Sequence, residues 1–144
     1  MQWHCKRFEE LTPREVYSIL QAREAVFVAE QACPYQDADG RDYGALHLFC
    51  EHEGTILAYL RLCEMPGEPG TLQMGRVLTR ERKTGLGADL LRRGIEAARQ
   101  AGASGIYLEA QTYAEGFYAR EGFQTCSEPF LEDDIPHVRM RKKL

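Results

Sequence analysis

The run from residue 72 to residue 110 constrains this chain most. It reads as an apolar strand, a glycine corner, an amphipathic helix and a second apolar strand. Leu72–Leu78 and Ile106–Ala110 are the strands. Between them Leu86, Leu90, Leu91, Ile95 and Ala98 fall on one helical side, with Arg92, Arg93, Glu96, Arg99 and Gln100 mostly opposite. Strands joined through a helix pair in parallel, and the crossover is right-handed.

The corner runs through the charged residues Arg80, Glu81, Arg82 and Lys83 into Thr84-Gly85-Leu86-Gly87. Glycines there let a backbone turn tightly or come close to a ligand. A helix starting there directs unpaired N–H groups and partial positive charge outward. With Arg82 and Lys83 just upstream, the residues describe either a pyrophosphate seat or an ordinary strand-to-helix corner. The P-loop pattern fails, because Gly87 is followed by Ala88-Asp89. The dinucleotide fingerprint is incomplete, because its third glycine would fall at Leu90. Glu109, at the end of the next strand, is the acid that a ribose would need in that reading.

A chain of 144 residues has the length of one domain, here 1–144, and can bury a core without staples. A net charge of −4 gives no electrostatic footprint for nucleic acid or an anionic membrane. The basic cluster Arg139, Arg141, Lys142 and Lys143 reads as the solvated face of a last strand. Cys5, Cys33, Cys50, Cys63 and Cys126 are scattered, odd in number and without a Cys-x-x-Cys pair. They argue against a disulfide framework and a zinc site, and point to a reducing cytoplasm. The N-terminal residues lack the apolar stretch of a signal peptide, and no run reaches the length of a membrane span.

Trp3–Phe8 reads as a short strand. Thr12-Pro13-Arg14-Glu15 is a helix start with a cap, a first-turn proline and a closing glutamate. Val16, Ile19, Leu20 and Phe27 mark its buried face, and the helix is expected to end near Val28 or Glu30. Residues 31–45 are turn-rich and acidic. Asp37, Asp39 and Asp42 do not match the EF-hand spacing and read as turn formers. Leu46–Glu51 and Ile56–Cys63 form a hairpin through Glu53-Gly54. A short helix over about Tyr113–Glu121 stops at Gly122, and Phe123–Cys126 and Val138–Arg141 close the fold. Ser127–His137 reads as a loop.

This order resembles, over essentially the whole chain, the fold of the GNAT acyltransferases. Arg82-x-x-Gly85-x-Gly87 is similar to that family's Arg/Gln-x-x-Gly-x-Gly/Ala signature, and Phe117-Tyr118-Ala119-Arg120-Glu121-Gly122-Phe123 to its F-Y-x-x-x-G-F element. A third group of segments resembles the ElaA-like branch: Val26–Gln31, Cys33–Asp37, Asp39-Gly40, Gly75-Arg76-Val77, Ala110-Gln111 and Glu132–His137. The loop between Asp39-Gly40 and His47 is shorter than in that branch, and Gln111-Thr112-Tyr113 departs from its usual Gln-x-His-Leu. The resemblance implies an α/β (α+β) fold. Its mixed central sheet has about six to seven strands with a V-shaped splay, flanked by about four helices.

The resemblance also implies acetyl-coenzyme A as cosubstrate, and no metal. Arg82, Lys83, Thr84, Gly85, Leu86 and Gly87 would seat its pyrophosphate. Val77 and Leu78 would line the splay opposite Ala110 and Gln111, with the Leu78 N–H polarising the thioester oxygen. Gln111 is either an orienting group or a polar cap for the short helix. In the Phe117-Tyr118 element, Tyr118 is the expected general acid, protonating the departing thiolate. Ala114, Phe117 and Tyr118 also have the spacing of a packed helical face. Glu30, His47 and His137 are candidate bases on the acceptor side. No Cys/His pairing supports a covalent acyl-enzyme. The expected reaction is direct acetyl transfer to a primary amine of a small molecule or peptide. A non-catalytic acyl-coenzyme A sensor is the alternative, and a nucleotide-binding fragment the third reading. No nucleic-acid or membrane partner is expected; the sequence does not fix the oligomeric state, a homodimer being one possible assembly because many proteins of this fold pair.

Overall fold

A computed structural model describes residues 1–81 and 84–144. The strands in chain order are β1 (Gln2–Arg7), β2 (Leu46–His52), β3 (Thr55–Glu64), β4 (Thr71–Thr79), β5 (Gly105–Gln111), β6 (Gln124–Thr125), β7 (Phe130–Glu132) and β8 (Ile135–Lys143). The α-helices are α1 (Pro13–Arg23), α2 (Leu86–Gln100) and α3 (Glu115–Ala119). All strands join one sheet in the order β1-β2-β3-β4-β5-β8-β6, with β7 beside β8. This is the mixed α/β architecture that the sequence predicts, with eight strands and three α-helices among the described residues in place of about six to seven and about four.

The extra strand lies in what the sequence presents as a loop. Phe130–Glu132 pairs with Ile135–His137 across a two-residue turn, whose central residues Asp133 and Asp134 have φ of 52° and 61°. A turn with both residues left-handed matches the twist of a hairpin. An Asp-Asp pair announces it less clearly than the Glu53-Gly54 turn between β2 and β3, where φ is 50° and 79°.

The predicted capping box opens α1. The Thr12 hydroxyl accepts from Glu15 N at 3.1 Å, and Thr12 N donates to the Glu15 carboxylate at 2.8 Å. The α-helix stops at Arg23, earlier than predicted, and the chain continues to Glu30 in a wider π-helical winding. Such windings interrupt α-helices most often beside functional sites.

Two apolar clusters cover the two faces of the sheet. Leu90, Leu91, Ile95 and Ala98 of α2 pack on Leu48, Leu60, Leu62, Met74 and Ile106. On the other face, Ile19 and Ala22 of α1 pack with Val26 on Phe49, Tyr59 and Leu78. Helix α2 lies close to the sheet at Gly94, where an added Cβ would come 2.8 Å from Leu60 Cδ2.

Among the described residues only β4 and β5 run parallel, and their pairing covers just Thr71–Gln73 against Gly105–Tyr107. Both strands continue beyond it, to Thr79 and Gln111. The sheet therefore parts in the middle. Strand β4 also carries a bulge: Tyr59 faces Leu78 while Arg61 faces Gly75, so Arg76 and Val77 together oppose Leu60. Arg76 sits in the left-handed region, with φ 52°.

Candidate active site

The parted strands open a cleft of about 870 Å³. Its walls bring together Val77, Leu78 and Thr79 of β4, Gln111 at the end of β5, Thr84, Gly85 and Gly87 at the start of α2, Phe117 and Tyr118 of α3, and His137 of β8. Leu86 lies just behind, buried in the α2 cluster. Arg82 and Lys83, expected to meet a pyrophosphate, lie outside the described residues.

The start of α2 suits an anion. Gly85 has φ 80°, a conformation that glycine adopts without penalty, and a side chain there would meet open space. The helical ladder begins with Asp89 N on Gly85 O at 3.2 Å, so the Gly87 and Ala88 amides have no carbonyl within the helix. A Cβ at Gly87 would meet the Phe117 ring at 3.4 Å, which shows how closely α3 backs this turn. The helix dipole adds positive character over a full fifteen-residue helix.

The register of β4 revises one sequence expectation. Arg80 N donates to Leu57 O at 2.8 Å, and Leu78 faces Tyr59. In an antiparallel pair, hydrogen-bonded positions alternate. Leu78 therefore turns its N–H and C=O towards β3, and Thr79 turns its own towards the gap. The amide expected of Leu78 by position is committed to the sheet.

Tyr118 is 8% exposed and stands edge-on to Phe117 and Phe123, with ring centroids 5.0 and 5.9 Å away. Burial pushes its phenol pKa well above the ordinary value, so the hydroxyl keeps its proton at neutral pH. Packing and cleft lining coincide in this residue.

The three candidate bases separate. His47 is 1% exposed and outside the cleft. Its Nε2 donates to the Asp42 carbonyl at 2.9 Å, and its Nδ1 therefore accepts from the Tyr59 hydroxyl at 2.7 Å. Burial lowers its pKa. It is a neutral core histidine with both nitrogens used. Glu30 closes the π-helical segment on the surface and is not among the cleft-lining residues, whereas Gln31 is. His137 lines the cleft. Its Nδ1 donates to Ile135 O at 2.7 Å, and its Nε2 lies 3.6 Å from Glu132 Oε2, an ion pair when the ring is protonated. Burial and the neighbouring Glu109 raise the Glu132 pKa. Glu109 in turn accepts from the Tyr107 hydroxyl at 2.7 Å. Gln111 donates to Gln31 at 3.3 Å, spanning the mouth between β5 and the π-helical segment.

The aspartates read as turn formers do more than turn the chain. Arg23 reaches Asp37 at 2.8 Å and Asp42 at 2.7 Å; Arg61 reaches Asp42 at 2.9 Å and Asp39 at 2.6 Å. Arg76 reaches Asp39 at 3.5 Å and Asp37 at 2.8 Å. Three arginines and three aspartates thus alternate around a closed ring. Its Arg76 Nε contact with Asp37 is one of charge, the N–H not being aimed at the oxygen. The Arg61 guanidinium holds the Asp39 carboxyl well below the usual carboxylate range. For Asp42, burial acts upward, but Arg23 and Arg61 outweigh it and the net shift is downward. The sequence signal was Arg61 inside the apolar run Ile56–Cys63, and Arg23 one turn after Ile19: a cation buried on an apolar face needs a carboxylate.

Among the described residues one trio could chelate a metal, His4, Glu15 and Glu51. Lys6 already holds Glu15 at 2.9 and 3.1 Å, and His4 holds Glu51 at 3.0 Å. None of the trio lines the cleft, and its contacts are those of an ion-pair patch.

A mixed sheet parted beside a glycine-led helix start, with a buried tyrosine at the gap, defines an acyltransferase framework. The acetyltransferase (GNAT) domain model matches residues 10–144, and the chain belongs to that family. Its relatives include protein ElaA of Escherichia coli, 32% identical over 149 aligned residues that span 100% of this chain and 97% of ElaA. The crystal structure of Escherichia coli ElaA superposes with a TM-score of 0.93 over 99% of each chain. That of an acyl-CoA N-acyltransferase from Pseudomonas aeruginosa, 41% identical, gives 0.92 over 99% of each chain.

Proposed function

We propose that this protein transfers an acetyl group from acetyl-coenzyme A to a primary amine of a small molecule or peptide by direct attack. One observation carries the reading: the glycine-led amides of α2, the gap-facing backbone of β4, the Tyr118 phenol and the His137 Nε2 line a single cleft. Kinship with an acyl-CoA N-acyltransferase supports the choice of cosubstrate.

Acetyl-coenzyme A supplies the activated acyl carbonyl and a thiol leaving group. The chain's residues do the rest. The Gly87 and Ala88 amides and the α2 dipole hold the diphosphate. A gap-facing amide of the bulged segment 76–79 polarises the carbonyl. His137 Nε2 takes the proton of the attacking amine, directly or through a water. Tyr118 gives its proton to the leaving sulfur. Five free thiols support a reducing cytoplasm as the place of work.

The test is a thiol-release screen with acetyl-coenzyme A across amines, amino acids, peptides and aminoglycosides. Thiol released with a particular amine, and lost in Y118F, supports the enzyme. Thermal stabilisation by acetyl-coenzyme A without release for any amine supports a sensor instead.

A further inference from the structure

The bulge at Arg76 reverses the phase of β4. In an unbroken strand, side chains two or four residues apart share a face. Met74 packs under α2, yet Leu78, four residues on, packs under α1 with Tyr59 and Ile19. Val77 packs against the α2 cluster. The extra residue produces this reversal, and it decides which backbone groups of 77–79 meet the gap.

The residue that makes the reversal is an arginine in a conformation that side chains rarely adopt. Its surroundings supply the anchorage. Nη2 donates to Asp37 O at 3.0 Å and lies 3.5 Å from Asp39 Oδ2, and the guanidinium stands 5.3 Å over the Tyr35 ring. Tyr35 in turn donates to Asp37 at 2.8 Å. Asp37 and Asp39 are fixed from the far side by Arg23 and Arg61. The 31–45 segment is therefore tied to α1, to β3 and to the bulge itself, and Tyr35, Asp39, Arg61 and Arg76 all line the cleft.

We infer that Arg76 is a positioning residue, clamping the β4 bulge to the 31–45 wall so that coenzyme side and acceptor side hold one geometry. Its kinetic consequences rest on the acyltransfer reading above; its structural consequence does not.

Two readouts test it. Amide hydrogen exchange at 76–79 is expected to quicken at least tenfold in R76V, which loses every anchor and, being β-branched, strains the left-handed backbone further. In R76G, where glycine relieves that strain but the anchors are still gone, exchange should be slower than in R76V and still clearly faster than in wild type. Both variants should give the 31–45 segment faster proteolysis. In the enzyme, R76K is expected to lose about tenfold in kcat or acceptor KM while acetyl-coenzyme A still raises the melting temperature. R23K, a ring member outside the cleft, should lower the melting temperature and leave kcat in place. Wild-type exchange at 76–79 in R76G would overturn the inference, whether or not any amine is acetylated. So would equal kcat losses in R23K and R76K, which would mark the ring as a general support.

Discussion

His137 Nδ1 donates to the carbonyl oxygen of Ile135 at 2.7 Å, which turns Nε2, the nitrogen proposed as base, to within 3.6 Å of Glu132 Oε2 at the cleft. The stacking of its ring on Phe130, 5.9 Å between centroids, holds that orientation. Replacing His137 with glutamine should lower kcat about 10²-fold, at the lower end of acid–base contributions. Acetyl-coenzyme A should still raise the melting temperature of the variant, and an unchanged kcat would move the base elsewhere.

Tyr118→Phe keeps the ring that packs between Phe117 and Phe123 and deletes only the hydroxyl. Turnover should fall about 10²-fold, with the melting shift caused by acetyl-coenzyme A nearly unchanged. Equal turnover in the two proteins would leave Tyr118 with packing alone.

Arg61→Ala leaves the carboxylates of Asp39 and Asp42 short of a cation at a position only 4% exposed. Breaking a buried pair in this way costs about 3–5 kcal/mol, measurable as a lower urea midpoint at constant m-value. Replacing both partners of an exposed pair such as Arg93–Asp89 should cost less than about 0.5 kcal/mol.

Acid should weaken the fold in two windows. Burial keeps the folded-state pKa of His47 below its ordinary value near 6.5. Unfolded chains then bind a proton that the native state resists, so stability is whole above about pH 6.5 and declines as pH falls towards the folded pKa. His47→Gln should remove this first decline in melting temperature. The depressed carboxyls of Asp39 and Asp42 contribute above their unfolded pKa near 3.9, and that part is lost as pH drops through the folded values. D39N should shrink the second decline.

Periodicity and caps disclose most of the frame. The α2 stripe, the Thr12 cap and the alternation of Val138 and Met140 with Arg139 and Arg141 each express a local rule that packing did not override. What escaped depends on distance. The π-helical winding after Arg23 leaves no mark in side-chain spacing, because Val26 and Phe27 also fit an α-helix. Sequence position alone points to the Leu78 amide, and pairing with Tyr59 across a bulge reveals that it faces β3. Three aspartates in a turn-rich segment looked local, while their partners stand 14 to 39 residues away. His47 and His137 are equivalent as letters, and their burial and partners give them different work.

The short seam between β4 and β5 has a mechanical outcome. The long neighbours β1 to β4, and β5 with β8, are each laced over six or seven residue pairs. At the seam only three pairs hold, so two stiff panels meet along a narrow hinge that α2 straps from behind. Flexing of one long-stranded half of the sheet against the other should gather there on slow timescales. A ligand wedged between the panels then acts as a brace, stiffening the β1–β4 half against the β5–β8 half while touching little of either.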